Sequence, residues 1–252
     1  MTRHILVTRP DGQAGDLADH LQDRGFAAVV VPTVRIDLES CVDNLDAMLA
    51  SLARSDWLIV TSANGAQALA ARMAATGSRM PEGLRVAAVG PVTADALHAA
   101  GIRVDHVPDD YLAIAIADGL GDVEGRRIVV AQADAAAREL HDALVARGAV
   151  VEEVVAYHTV EGPGESRDVL HAVLQQELAG VAFTSGSTVR GLTRLASPID
   201  RNRVRTLPAF CIGPVTAGEA RKSGFHIAAV AAPHTATGLA DAIAAYFAGE
   251  ER

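Results

Sequence analysis

Aromatic residues make up only 4% of this 252-residue chain, and cysteine occurs twice. So few rings leave few platforms on which a base or a flavin could stack. The cores must be Val, Ile, Leu and Ala packing, the composition of buried parallel strands covered by Ala-rich helices. Cys41 and Cys211 are too few and too far apart for a disulfide framework or a zinc site, and Cys211 stands in an apolar strand pattern as a small core residue. No basic stripe interrupts the mixed surface charge. A formal net charge of −9 with a pI near 5.4 argues against binding a phosphate backbone, so nucleic acid is not expected as a partner. No apolar run reaches the ~18 residues that a membrane span requires. The start, MTRHILVTRP, enters a strand pattern without an apolar leader, so the cytoplasm is the expected location.

Several signatures of chemistry are missing too. There is no G-x-x-x-x-G-K-[ST] loop and no G-x-G-x-x-G after a strand, which removes the usual nucleotide cradles. Ser185 sits on a strand-to-helix turn but lacks the flanking Gly-x-Ser-x-Gly of a hydrolase elbow. The nine histidines form no H-E-x-x-H or similar ligand pair, and Asp109-Asp110 reads as a helix-start pair; no metal site is expected.

What the chain has is repetition. Ser62 of VTSANG and Ser185 of FTSGS stand 123 residues apart (185 − 62), as do Gly90 of AVGPVTA and Gly213 of CIGPVTA (213 − 90). Ile5 and Ile128, and Gly25 and Gly148, keep the same interval. A constant offset over most of the chain predicts two similar domains, with the paired turns facing each other across a cleft.

Apolar runs of four to eight residues alternate with amphipathic Ala/Leu-rich stretches, the pattern of a parallel sheet between helices. The expected strands are 4–8, 27–31, 57–61, 86–89 and 104–107, then 128–131, 150–155, 181–184, 209–212 and 227–230. The expected helices are 15–24, 64–74, 92–99, 135–147, 188–195, 215–222 and 237–247, several stopping on Gly25, Gly101, Gly148 or Gly224. Each copy has a flavodoxin-like set of elements. Linkers at 159–166, containing Gly162-Pro163-Gly164, and at 36–43 would divide the chain into an inner block and a discontinuous outer block.

Both Ser62 and Ser185 lie at carboxyl ends of strands, where doubly wound sheets bind ligands. The free N–H groups of such turns and the positive end of the helix suit an anion, while the hydroxyls and Asn64 serve equally well as simple caps. In the GPVTA turns a Gly allows close approach and a Pro starts the helix; Thr93 and Thr216 then either cap or donate to a ligand. Few cations accompany these four turns, which fits a ligand carrying several carboxylates. Tyr157 ends a strand at the entrance to the Gly-Pro linker. Its phenol, protonated at neutral pH, can donate a hydrogen bond or a proton, or simply plug a junction.

Taken in order, ILVTRP, DWLIVTSANGAQAL, VAAVGPVTADALHAAG, the segment from Leu144 to Tyr157, VAFTSGSTVRGL, CIGPVTAGEARKSG and HTATGLADAI resemble the uroporphyrinogen-III synthase family over nearly the whole chain. The resemblance implies two flavodoxin-like α/β domains with parallel sheets, joined by a two-stranded linker, the second domain inserted in the first. Residues 1–35 plus 162–252 would form one domain and 37–158 the other, with linkers near 33–38 and 157–164. It implies a cofactor-independent, metal-free enzyme that cyclises hydroxymethylbilane with loss of water and inversion of ring D, domain closure about the linkers folding the bilane for that step. Tyr157 matches the residue that assists departure of the hydroxyl. Ser62, Ala63, Asn64, Gly90, Val92, Thr93, Ser185, Gly186, Ser187, Gly213, Val215 and Thr216, with Arg9, make up the candidate substrate-binding set. Gln132 stands opposite Arg9 where many members carry a basic residue. A monomer is expected, with transient contact to the preceding or following tetrapyrrole enzyme. The rival reading is a non-catalytic two-lobed protein of the same fold that binds small anions or regulates; the sequence stops after one C-terminal helix, so a DNA-binding appendage is not expected.

Overall fold

The computed structural model describes residues 2–10, 12–110 and 113–250. In chain order the strands are β1 (Arg3–Val7), β2 (Phe26–Val30), β3 (Val34–Asp37), β4 (Trp57–Val60), β5 (Arg85–Ala88), β6 (Arg127–Ala133), β7 (Val150–Glu161), β8 (Gly180–Phe183), β9 (Ala209–Cys211) and β10 (Ile227–Val230). The helices are α1 (Gly15–Gln22), α2 (Val42–Ser51), α3 (Ala63–Thr76), α4 (Pro91–Ala99), α5 (Ala113–Gly119), α6 (Glu139–Ala146), α7 (Arg167–Val173), α8 (Gly186–Leu195), α9 (Pro198–Arg205), α10 (Pro214–Lys222) and α11 (Ala236–Glu250). The chain falls into two units, Met1–Arg35 with Val160–Arg252 and, inserted between those segments, Ile36–Thr159. Among the described residues no helix is long and apolar enough to cross a membrane.

The sheet of unit 1 has the order β10-β9-β8-β1-β2, with every pair parallel. Successive side chains of a strand point to opposite faces, so β1 feeds two cores. Leu6 enters one with Val181, Phe183, Leu192 and Ala217; Ile5 and Val7 enter the other with Leu17, Leu21, Leu239 and Ile243. All five phenylalanines lie in this unit. Phe26, Phe210 and Phe247 group with Tyr246 on one face, and Phe183 meets Phe225 edge-on with ring centroids 4.9 Å apart on the other. Edge-on contacts of this kind add about 0.5–1.5 kcal/mol to the area buried.

The sheet of unit 2 has the order β3-β7-β6-β4-β5, with β5-β4-β6-β7 parallel. The same alternation sends Leu58, Val60, Val129 and Ala131 into one core and Trp57, Ile59, Ile128 and Val130 into the other. Arg85 lies over the Trp57 ring, 4.2 Å from its centroid, and covers the bottom of this second core.

The expected strands recur with small changes at their ends, and the four glycine stops take the left-handed backbone, φ 74° to 85°. One expected strand does not form. Residues 104–107 make a single bridge, Ala87 to His106, because the Asp105 carboxylate accepts the Val86 N–H at 2.9 Å and occupies the donor that a strand carbonyl would use. Among the described residues three further helices appear, α2, α7 and α9, and α5 follows the Asp109-Asp110 pair. The linker segments are themselves largely strand: β3 covers the first, and β7 continues six residues past Val155 to Glu161.

Candidate functional site

A doubly wound sheet leaves a gap at the carboxyl ends of its strands where the chain reverses its direction of winding. In unit 1 that point lies between β1 and β8, and in unit 2 between β6 and β4. Ser185 follows β8 and Ser62 follows β4, so the two repeated serines stand at the two equivalent switch points.

In unit 2, Ser62 is extended and caps α3, its Oγ accepting the Gly65 N–H at 3.1 Å. The same oxygen lies 3.0 Å from the phenol oxygen of Tyr157. Tyr157 sits beside Ala133 in the β6–β7 ladder and is only 7% exposed. Its carbonyl accepts the Asp134 N–H at 3.2 Å. Asp134 then takes His158 Nδ1 at 2.9 Å and the Thr159 N–H at 3.3 Å. Burial pushes the Asp134 carboxyl up, but the bonds from His158 and Thr159 outweigh it and hold the group below the usual carboxylate range. Ala63 and Asn64 occupy the first turn of α3 and are half-buried. Gly90 starts α4 without a side-chain cap, followed by Pro91, which leaves the next backbone N–H groups open.

In unit 1, Ser185 caps α8 through the Thr188 N–H at 3.3 Å, and its Oγ lies 2.8 Å from Ser187 Oγ. Gly213 starts α10 without a side-chain cap. Both capping serines therefore do what a structural cap does, and only Ser62 has the phenol as a further partner.

Thr93 and Thr216 are 4% and 5% exposed. Neither caps its helix through its side chain, since Gly90 and Gly213 are the caps. On each helix they fall on the inward face, Thr93 with Ala94 and Leu97, Thr216 with Ala217 and Ala220. The residue each turn exposes is the valine before it, Val92 at 70% and Val215 at 85%.

Cations are also closer than the sequence suggests. A Cβ on Gly186 would lie 3.2 Å from an Arg190 guanidinium nitrogen, so this arginine covers the Ser185 turn. Arg190 is held by Glu161 at 2.7 Å, and Glu161 also takes Arg194 at 3.0 Å. Arg9 is bound to Asp16 at 2.5 Å, and Gln132, its counterpart in the repeat, donates to Glu153 at 2.9 Å. The His234 ring lies 3.6 Å from where a Cβ on Gly213 would be, with its Nδ1 2.7 Å from the Ala231 carbonyl. Thr235 beside it caps α11 through the Gly238 N–H at 3.1 Å. The Thr-x-x-Gly spacing before an apolar helix is a readable cap signal, and Arg190, one helical turn after Gly186 on α8, is placed over the turn by helix spacing alone; nothing in the sequence ties His234 to Gly213.

Two doubly wound units, each gathering capped and open helix starts at the carboxyl ends of its strands and one of them adding a buried phenol, define a two-domain α/β protein of the doubly wound type. The family model for uroporphyrinogen-III synthase HemD matches residues 15–241. The chain belongs to that family. A uroporphyrinogen-III synthase of Synechococcus elongatus is 34% identical over 221 residues, covering 84% of this chain and 83% of the relative. A mutant uroporphyrinogen III synthase of Thermus thermophilus superimposes with a TM-score of 0.69 at 20% identity, covering 98% of this chain and all of that one. The uroporphyrinogen-III synthetase of Helicobacter pylori gives 0.62 at 14% identity over the full length of both. At such identities the two superpositions speak for the fold alone.

Proposed function

We propose that the turns at the strand ends of both units bind the carboxylates of hydroxymethylbilane and that Tyr157 gives up the proton on which its hydroxyl departs. As a family member the chain is a uroporphyrinogen-III synthase, a lyase-type enzyme that closes a macrocycle in tetrapyrrole biosynthesis. The observation that carries the assignment of Tyr157 is its phenol, buried at 7% exposure and bonded to the serine at the switch point of unit 2.

The chemistry has two demands. Breaking the carbon–oxygen bond releases water and leaves a delocalised azafulvenium cation, which fixed backbone dipoles and the substrate's own carboxylates stabilise without reorganisation. The free bilane can also close without inversion. The product is therefore decided by conformation, since the substituted carbon of ring D must be brought to the cation before the unsubstituted one arrives. In this reading the turns hold the acidic side chains, Tyr157 handles the proton, and the protein works as a monomer in the cytoplasm without cofactor or metal.

Two variants separate binding from chemistry. Tyr157→Phe lowers kcat by on the order of 10²-fold, the usual loss for a general acid, while the product remains isomer III. Gly213 is in extended backbone, φ −165°, with 3.6 Å to the nearest atom, so Gly213→Ala leaves the fold intact. Its added methyl stands where the ligand approaches and raises KM about tenfold, roughly the 1.4 kcal/mol of one displaced contact. Steady-state kinetics with product isomers separated by chromatography checks both. An unchanged kcat in Tyr157→Phe removes the tyrosine from the reaction.

A further inference from the structure

Ser62 does more than close the start of α3. Its Oγ accepts the Gly65 N–H and lies 3.0 Å from Tyr157 Oη. A serine hydroxyl has a single proton. The Gly65 amide takes one lone pair, and the geometry makes Ser62 Oγ the donor to the phenol oxygen, so the phenol's own proton is left for a third group. The Gly65 N–H, the Ser62 O–H and the Tyr157 O–H thus run head to tail, each bond polarising the next. Gly65 leaves room for this arrangement, since a Cβ there would come within 3.3 Å of Ser62 Oγ.

The repeat provides a control within the same molecule. Ser185 caps α8 through Thr188 just as Ser62 caps α3 through Gly65, but its other partner is Ser187. The position matching Tyr157 in the first copy is Val34 (157 − 34 = 123). Both copies have the cap and one has the phenol, so the bond to Tyr157 is not a by-product of capping.

We propose that Ser62 is a positioning residue for Tyr157: by donating to Oη it turns the phenol proton toward the bilane hydroxyl and holds the phenolate left when that proton is given up. This rests on the acid role assigned to Tyr157 above. As the Oη–H bond breaks, the proton joins the hydroxyl oxygen, which leaves as water with the electron pair of the carbon–oxygen bond. Ring closure releases one proton from the terminal pyrrole, and that proton restores the phenol.

A double-mutant cycle on hydroxymethylbilane turnover tests this. Ser62→Ala lowers kcat about tenfold, the upper end of a lost hydrogen bond, with KM within about twofold. In the Tyr157→Phe background the same change has no further effect on kcat. Ser62→Thr, which keeps the hydroxyl, recovers most of the rate. Ser62→Asp separates capping from donation. An aspartate caps a helix as well as serine, but it accepts the phenol proton, so its melting temperature stays near wild type while kcat falls at least as far as in Ser62→Ala. The proposal is overturned if the losses in Ser62→Ala and Tyr157→Phe multiply, if Ser62→Ala changes KM alone, or if Ser62→Asp keeps the wild-type rate. An unchanged rate in Tyr157→Phe alone overturns the acid role itself and this coupling with it.

Discussion

Asp200, in α9 of unit 1, is a carboxylate kept at 4% exposure. Ser197 donates to it at 2.7 Å and His171 Nδ1 lies 3.0 Å away. Burial pushes its carboxyl up, the bonds from Ser197 and His171 push it down more, and the net result lies below the usual range. A carboxyl depressed in the folded state contributes stability that is full above its unfolded value of about 3.9 and is lost as pH falls through the folded value. Asp200→Asn therefore costs about 1 kcal/mol at neutral pH and removes part of the acid sensitivity. Thermal melts between pH 7 and 3 should show the gap between wild type and variant narrowing below about pH 4; a gap constant across that range would remove Asp200 from acid unfolding. Residue-level contacts of this kind were the least legible part of the sequence. Ser62 and Tyr157 could each be singled out from their turns, but they lie 95 positions apart and only the β4-β6-β7 register joins them. The burial of Thr93 and Thr216 is not legible either, because a helix start says which amides are open, not which face of the helix meets the sheet.

At the level of elements, α8 meets the end of the first linker with no space to spare. A Cβ on Gly191 would lie 2.0 Å from the Thr33 carbonyl oxygen and 2.9 Å from its carbon. Thr33 cannot yield: its hydroxyl shares its one proton between the carbonyls of Thr8 at 3.0 Å and Thr188 at 2.9 Å, and its own carbonyl accepts the Gly162 N–H at 2.9 Å. Alanine favours a helix over glycine by about 1 kcal/mol, while forcing backbones apart in a packed site costs about 3 kcal/mol or more. The clash wins, and Gly191→Ala should lose roughly 2 kcal/mol in urea denaturation; a stabilised variant would mean that α8 can move off the linker. Elements with strong patterns were readable in advance, from the apolar runs of β4 and β8 to the glycine stop after α6. α9 was not, because PIDRNRVR buries only Asp200 and Val204 and has almost no apolar stripe. The segment 104–107 looked like a strand by composition, and one carboxylate on Val86 N–H changed its structure.

At the scale of the whole chain, the repeat and the folded units divide the sequence differently. β1 and β2 of the first copy complete the sheet made by β8, β9 and β10 of the second, and the first copy's β4 and β5 share a sheet with the second copy's β6 and β7. Matched through the repeat, β7-β6-β4-β5 repeats the order β2-β1-β8-β9, so both units share one four-strand winding assembled from both copies, and β10 has only the Ala87–His106 bridge as its counterpart. The 123-residue offset was visible in paired turns such as Ser62 and Ser185, but pairing of strands between copies involves contacts that periodicity does not encode. Directing the closure of a bilane is what separates this chain from a protein that only binds an anion. Incubating the purified protein with freshly made hydroxymethylbilane, oxidising the product and separating the isomers tests it most directly. Isomer III should form faster than spontaneous closure and dominate the product. Isomer I alone, formed at the uncatalysed rate, would contradict it.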